Sequence, residues 1–255
     1  MQQRDQDPGR VAWVLGAGSG IGRASALRLA REGWTVALSG RRTAELEGVA
    51  AEIAAEGGTA LASPCDVTDV QAVRAVHGRL AASVGEPALV VHCSGVNTPR
   101  RQWDTLEAED AKRVIDINLG GVLNVLAVTV PAMRERKRGT IVVVSSWAGW
   151  CFTPFAGPSY GASKTALAPL VESVNHRAGG DGVRACLICP AEVATPILAQ
   201  RPNPISARDM ARMLKPEDVA AAVAYAAGQP PGVCINEVVI SPTWNRIYLE
   251  PQALF

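Results

Sequence analysis

The chain has 255 residues, 48% hydrophobic and 19% charged, which is ample material for a sizeable core and excludes a wholly disordered polymer. Its 25 lysines and arginines nearly cancel 24 aspartates and glutamates, leaving a formal charge of +1. So small a field recruits neither nucleic acid nor an anionic membrane surface, and neither is expected as a partner. No uninterrupted apolar run in the sequence approaches a bilayer span, and the opening MQQRDQDPGR is polar, unlike a secretory signal. The expectation is a flexible lead-in over 1–9 and a single cytoplasmic domain over 10–255.

In chain order, strands are predicted at Val11–Leu15, Thr35–Ser39, Thr59–Ser63, Ala88–His92, Thr140–Ser145, Val183–Cys189 and Glu237–Ser241. Most are continuously apolar rather than alternating, as in strands covered on both faces. Helical patterns fall between them at Ile21–Glu32, Arg42–Glu56, Val70–Val84, Glu107–Glu135, Ser159–Ala178 and Pro216–Ala227. Pro169 lies inside the fifth of these and is expected to bend it. The alternation predicts an α/β fold of Rossmann type: one doubly wound parallel sheet of about seven strands with helices on both faces. Two longer stretches, 146–158 and 191–215, follow strands and would overhang the carboxyl edge of the sheet, where ligands bind in such folds.

The six cysteines are scattered. Cys186 and Cys189 sit three apart in an apparent strand, so they point to opposite faces, and no histidine cluster completes a metal site. They read as small core residues, and no metal is expected.

After the first strand, Gly16-Ala17-Gly18-Ser19-Gly20-Ile21-Gly22 leads into a helix. Glycines there allow a tight turn and close approach of the backbone to a pyrophosphate, while the helix start offers free N–H groups. The second strand ends at Ser39-Gly40-Arg41-Arg42, with no acidic residue. A carboxylate at that place binds a ribose 2′-OH, whereas an arginine accommodates a 2′-phosphate. Arg41 therefore favours NADP(H) over NAD(H), although Arg41 and Arg42 would equally solvate a helix start.

Tyr160 and Lys164 are four apart and share a face if their segment is helical. A nearby ammonium favours phenolate and would lower the phenol's pKa, making Tyr160 a proton donor and acceptor. Ser145-Ser146 closes the preceding strand and offers a hydroxyl to the same crevice.

Together these motifs resemble the short-chain dehydrogenase/reductase family, from about Arg10 to Thr243. The resemblance is carried by Gly16–Gly22, Cys65-Asp66-Val67, His92-Cys93-Ser94-Gly95, Ile117-Asn118-Leu119, Ser145-Ser146, Tyr160 with Lys164, and Pro190–Pro196. It implies a catalytic set in which Tyr160 is the general acid/base, Lys164 lowers its pKa and binds the nicotinamide ribose, Ser146 steadies the substrate oxygen, and Asn118 holds a relay water. It implies cofactor contacts from Gly16, Ser19, Gly20, Ile21, Gly22, Arg41, Cys93, Gly95, Tyr160 and Lys164. Asp66 and Val67 would flank the adenine, and Val193 and Thr195 the nicotinamide carboxamide. Relatives pair subunits through helices, which implies a homo-oligomer, a dimer or tetramer.

The chain departs from the family pattern in places. Leu15 replaces a common threonine, His92-Cys93-Ser94-Gly95 replaces Asn-Asn-Ala-Gly, and Pro190-Ala191 replaces Pro-Gly. The interval from Ser146 to Tyr160 is one residue longer than in many relatives. His92 reads as a hydrogen-bonded core histidine rather than a base.

The expected reaction interconverts a secondary alcohol and a ketone. Trp147, Trp150, Phe152 and Phe155 crowd one loop, with Trp103, Ile197, Leu198, Met210 and Met213 elsewhere, suggesting a hydrophobic or ring-bearing substrate. The same aromatics would serve equally to seal the loop or to form a subunit contact. Arg201, Arg208 and Arg212 offer an anion site or a solvated loop face. The tail Ser241–Phe255 is expected over the pocket or on a neighbouring subunit. Alternatives are an NAD-linked dihydrodiol or hydroxysteroid-type dehydrogenase, and a catalytically silent dinucleotide-sensing protein.

Overall fold

The computed structural model describes residues 10–202 and 204–249, so the expected lead-in over 1–9 lies outside the described residues. Seven strands form one sheet: β1 (Val11–Leu15), β2 (Thr35–Ser39), β3 (Thr59–Ala62), β4 (Pro87–His92), β5 (Gly139–Val144), β6 (Val183–Pro190) and β7 (Glu237–Ile240). Their order is β3-β2-β1-β4-β5-β6-β7, and every pairing is parallel. Central strands β1, β4, β5 and β6 are almost wholly buried, whereas the edge strands β3 and β7 are not. That difference explains why the central runs carry Val, Ile and Leu at consecutive positions instead of alternating with polar residues.

Helices α1 (Gly20–Arg31), α2 (Thr43–Ala55) and α3 (Val70–Ser83) connect the first strands. The Asp69 carboxylate caps α3, accepting from the Gln71 and Ala72 amides at 2.8 and 3.1 Å. The stretch expected as one helix over 107–135 is α4 (Ala108–Ile115), a π-helical turn (Asp116–Gly120) and α5 (Gly121–Glu135). The extra residue in that turn re-aims Asn118 inward, a common use of π-bulges at functional sites. By length and composition Ala108–Glu135 would pass as a membrane span, although polar residues such as Asp116, Asn118 and Asn124 interrupt its apolar run. In the fold, Val122, Val125, Leu126 and Met133 of that stretch are buried against the sheet.

The first long loop contains α6 (Trp147–Trp150) and leads to α7 (Pro158–Thr165) and α8 (Leu167–Ala178). The single helix expected there divides at Ala166, because the ring of Pro169 excludes the carbonyl four residues earlier, that of Thr165. The second long loop contains α9 (Ala207–Met210) before α10 (Pro216–Ala227), and α11 (Arg246–Leu249) ends the described chain.

Helices α3, α5 and α8 cover one face of the sheet, with Trp13, Leu80, Ile141 and Leu167 in that layer. Helices α1, α2 and α10 cover the other, around Val14, Leu29, Leu46 and Val219. Cys189 belongs to the first layer and Cys186 to the second, on opposite faces as predicted. Strand β1 lies between β2 and β4, so connections leave in opposite directions there and open a crevice at the carboxyl ends.

Candidate active site

A cleft of about 570 Å³ opens at that carboxyl edge. Its first wall is the turn after β1, which folds over the end of β2, the Gly16 and Ala17 amides donating to Ser39 O at 2.8 and 3.0 Å. Gly16 has φ +79°, and a Cβ there would meet Ser94 N at 2.8 Å; one on Gly22 would meet Gly16 O at 2.1 Å. Only glycine fits at either place. Ser19, the N-cap of α1, makes no side-chain cap, so its hydroxyl and the first-turn amides remain available to an anion. These glycines leave a backbone cradle that side chains would fill, which fits the pyrophosphate of a dinucleotide.

At the adenosine side, Arg42 donates to Ser19 Oγ at 3.2 Å and pairs with Glu45. Arg41 is exposed and has no ion pair among the described residues. Asp66 Oδ1 accepts from Thr68 N and Oγ1 at 2.9 and 2.8 Å. Burial alone would raise the Asp66 carboxyl, yet those bonds and the Arg41 charge hold it below the ordinary value. Val67, Cys93, Gly95, Val193 and Thr195 also line the cleft. Burial pushes the Cys93 thiol up to about 12, so it stays neutral.

On the floor, Ser146 caps α6, its Oγ accepting from Ala148 N at 3.2 Å, which leaves its proton free for the cleft. Ser146 and Tyr160 both line the cleft, and the Ser146 side chain acts to lower the pKa of the Tyr160 phenol. Lys164 is 4% exposed and donates from Nζ to Val144 O at 2.9 Å; burial pushes its ammonium down to about 8. Its Nζ lies 5.9 Å from the Tyr160 ring centroid. Gly95 lies against this lysine, the position of a Cβ there falling 3.4 Å from Nζ, an ordinary contact distance. Asn118 does not line the cleft. It is fully buried behind it, Oδ1 accepting from Val96 N at 2.8 Å and Nδ2 donating to Val96 O and Ser163 Oγ at 3.0 and 3.1 Å.

Two expectations are corrected here. Burial raises the Tyr160 phenol instead of leaving it lowered, and the charges opposing that rise are the guanidiniums of Arg101 and Arg201 rather than Lys164. His92 is buried as predicted, but neither ring nitrogen has a hydrogen-bond partner among the described residues. Burial lowers its pKa to about 3, which keeps the ring neutral.

The far end of the cleft is more polar than the sequence suggests. Trp147 and Phe155 line it, whereas Trp150 and Phe152 are 48% and 87% exposed and Trp103 is 81% exposed. Ile197 and Leu198 reach the cleft; Met210 and Met213 do not. Of the three loop arginines only Arg201 lines it, lying 5.2 Å over Phe155, while Arg212 stacks on Trp244. Sequence reasoning missed Arg101, Glu192 and Arg246. Glu192 takes a bidentate contact from Arg246, 2.5 Å from Nε and 2.8 Å from Nη2, and lies 2.5 Å from Arg201 Nη2. That cluster draws α11 over the cleft, where Ile247 joins the lining and Tyr248 meets Trp147 edge-on at 5.6 Å. Of the tail up to 249, Ile247 thus reaches the pocket; 250–255 lies outside the described residues.

A family model described as short chain dehydrogenase matches residues 10–205. The chain belongs to the short-chain dehydrogenase/reductase family. A glycine betaine reductase of Emericella nidulans is 35% identical over 246 residues, covering 92% of this chain. The chain spans only 19% of that relative's length. An uncharacterized oxidoreductase of Listeria monocytogenes is 32% identical over 241 residues, covering 92% of this chain and 96% of that one. Among solved structures, an alcohol dehydrogenase of Thermococcus sibiricus complexed with 5-hydroxy-NADP superposes with TM-score 0.83 at 26% identity, covering 93% and 98% of the two chains. A metagenomic short-chain oxidoreductase in complex with NADP gives 0.80 at 30%, covering 94% and 99%. The seven-stranded parallel sheet is that of this family, and the chain is an oxidoreductase of the dinucleotide-binding kind.

Proposed function

We propose that this short-chain dehydrogenase/reductase interconverts an alcohol and a carbonyl compound using NADP(H), with Tyr160 as the general acid/base. The observation that carries the reading is the floor of the cleft, which Ser146, Tyr160 and the buried Lys164 line together, with Lys164 Nζ 5.9 Å from the Tyr160 ring centroid. A bound nicotinamide cofactor supplies or accepts the hydride. Tyr160 gives its phenolic proton to the substrate oxygen in reduction and takes one back in oxidation. Ser146, whose proton is not used in capping α6, donates a hydrogen bond to that oxygen as charge develops on it. Lys164, anchored by one bond to Val144 O, has as an ammonium two further N–H donors for the ribose hydroxyls and can return a proton to Tyr160 after reduction, whereas as a neutral amine it can accept the proton that Tyr160 gains in oxidation. Asn118 holds the strand-end segment at Val96 in place, keeping the path beside Lys164 open.

Within the turn, Gly16, Ser19, Gly20, Ile21 and Gly22 hold the pyrophosphate; Cys93 and Gly95 border its passage, and Val193 and Thr195 hold the carboxamide. Asp66 and Val67 take the adenine. Arg41, in no ion pair among the described residues, and the Ser19–Arg42 pair suit a ribose 2′-phosphate, and two similar structures carry NADP or a derivative. The test is an absorbance screen of alcohols with NADP+ and NAD+ and of carbonyl compounds with the reduced forms. Turnover with a preference for NADP(H) is expected. Tight cofactor binding without turnover on any of them would overturn the reading in favour of a sensor.

A further inference from the structure

Among the described residues, one cation at the substrate end of the cleft has no carboxylate paired with it. Arg101 is 5% exposed, lines the cleft, and sits near Tyr160 and Arg201. Its Nε donates to Thr98 O at 2.7 Å and its Nη2 to Gln200 O at 2.5 Å. Among the described residues no carboxylate pairs with it. The neighbouring charges do not help: Glu192, the acid on this wall, is already shared by Arg246 and Arg201. Two backbone carbonyls need only neutral donors, so bracing the loop does not by itself require a buried charge. A guanidinium buried beside another guanidinium is costly unless an anion meets it.

We propose that the substrate of this enzyme carries a carboxylate, a hydroxy acid or the corresponding oxo acid, and that Arg101 binds it. The proposal rests on the reading of Tyr160 as acid/base. The guanidinium has five N–H donors in a planar fork, and the two used leave Nη1 among those available to a carboxylate oxygen. Trp147, Phe155 and Leu198 supply the apolar wall for the carbon chain between the acid and the reacting carbon. The Arg201–Glu192–Arg246 cluster contributes by holding this end closed while adding positive potential behind Arg101.

The experiment compares 2-hydroxybutanoate, 3-hydroxybutanoate and 4-hydroxypentanoate with their methyl esters, using NADP+ and NAD+. In at least one pair the acid is expected to exceed its ester in kcat/KM by about tenfold or more, the range of a charge-assisted hydrogen bond. Arg101→Met should reduce that acid-to-ester ratio by about 10- to 100-fold and Arg101→Lys by less, because lysine keeps the charge but not the fork. A second readout is calorimetric titration of butanoate and butanamide into protein saturated with NADP+. Butanoate should bind more tightly, and its advantage should shrink in Arg101→Met; melting curves of both variants check folding. Esters oxidised as well as acids in every pair would overturn the proposal while leaving the oxidoreductase reading intact. Butanoate binding that depends on Arg101, with no turnover of any compound, would support the anion site and overturn that reading instead. Butanoate binding indifferent to Arg101 overturns the proposal in either case.

Discussion

Replacing Glu192 by glutamine removes the only negative charge among three closely placed groups. The Glu192 side chain is 6% exposed, Arg246 9% and Arg201 16%. Breaking a buried ion pair by deleting one partner costs about 3–5 kcal/mol, because the remaining charge stays desolvated. Arg201 can turn partly toward solvent and Asp209 stands 3.8 Å from Arg246 Nη1, so the lower end, about 3 kcal/mol, applies. For a chain of this size each kcal/mol moves Tm by about 2–4 °C, giving a fall of about 6–12 °C. The pH dependence has a definite sign. Burial raises the Glu192 carboxyl, but the Arg246 and Arg201 hydrogen bonds and charges outweigh it and hold the folded value below normal. The stabilisation is therefore complete above the unfolded pKa of about 4.3 and is lost as pH falls through the lower folded value. Scanning calorimetry of both proteins should show a constant gap from about pH 8 to pH 5, closing below about pH 4. A gap under about 1 kcal/mol at neutral pH, the size of a solvent-exposed pair, would refute the reasoning.

Three other outcomes are expected. Arg41→Ser should raise KM for NADPH by about tenfold while leaving KM for NADH near its original value, since only the 2′-phosphate is affected; steady-state kinetics with both cofactors decide it. Alcohol oxidation should gain in kcat/KM with rising pH up to a break near 8, where the Lys164 amine becomes a neutral proton acceptor, and a profile flat across that region contradicts this role. Gly22→Ala should weaken cofactor binding by about 10- to 100-fold, because its Cβ meets Gly16 O at 2.1 Å, as read by fluorescence titration.

The strands were legible because burial on both faces leaves a local mark, the consecutive apolar residues of VAWVL, TIVVV and VRACLICP. The phosphate turn, Ser146, Tyr160 and Lys164 were legible for a similar reason: each motif is short and sits at a strand end or a helix start. The substrate end was not, because its contacts join distant segments. Arg101 meets Gln200 across 99 positions and Glu192 meets Arg246 across 54, and no local spacing encodes either. The aromatic cluster misled because composition does not say which side chains turn inward; Phe152 faces solvent three residues before Phe155 enters the cleft. The π-turn at Asn118 likewise interrupts a sequence whose helical pattern continues through it. The source of charge acting on Tyr160 was hidden for the same reason as Arg101 itself.

The most direct measurement is turnover of Tyr160→Phe beside its cofactor dissociation constant, both set against the wild type. Loss of the phenolic proton should lower kcat by about 10²- to 10⁴-fold, the usual share of general acid–base catalysis, while NADPH binds about as tightly as before. A variant that keeps most of its turnover, with the same substrate and cofactor, would contradict the account.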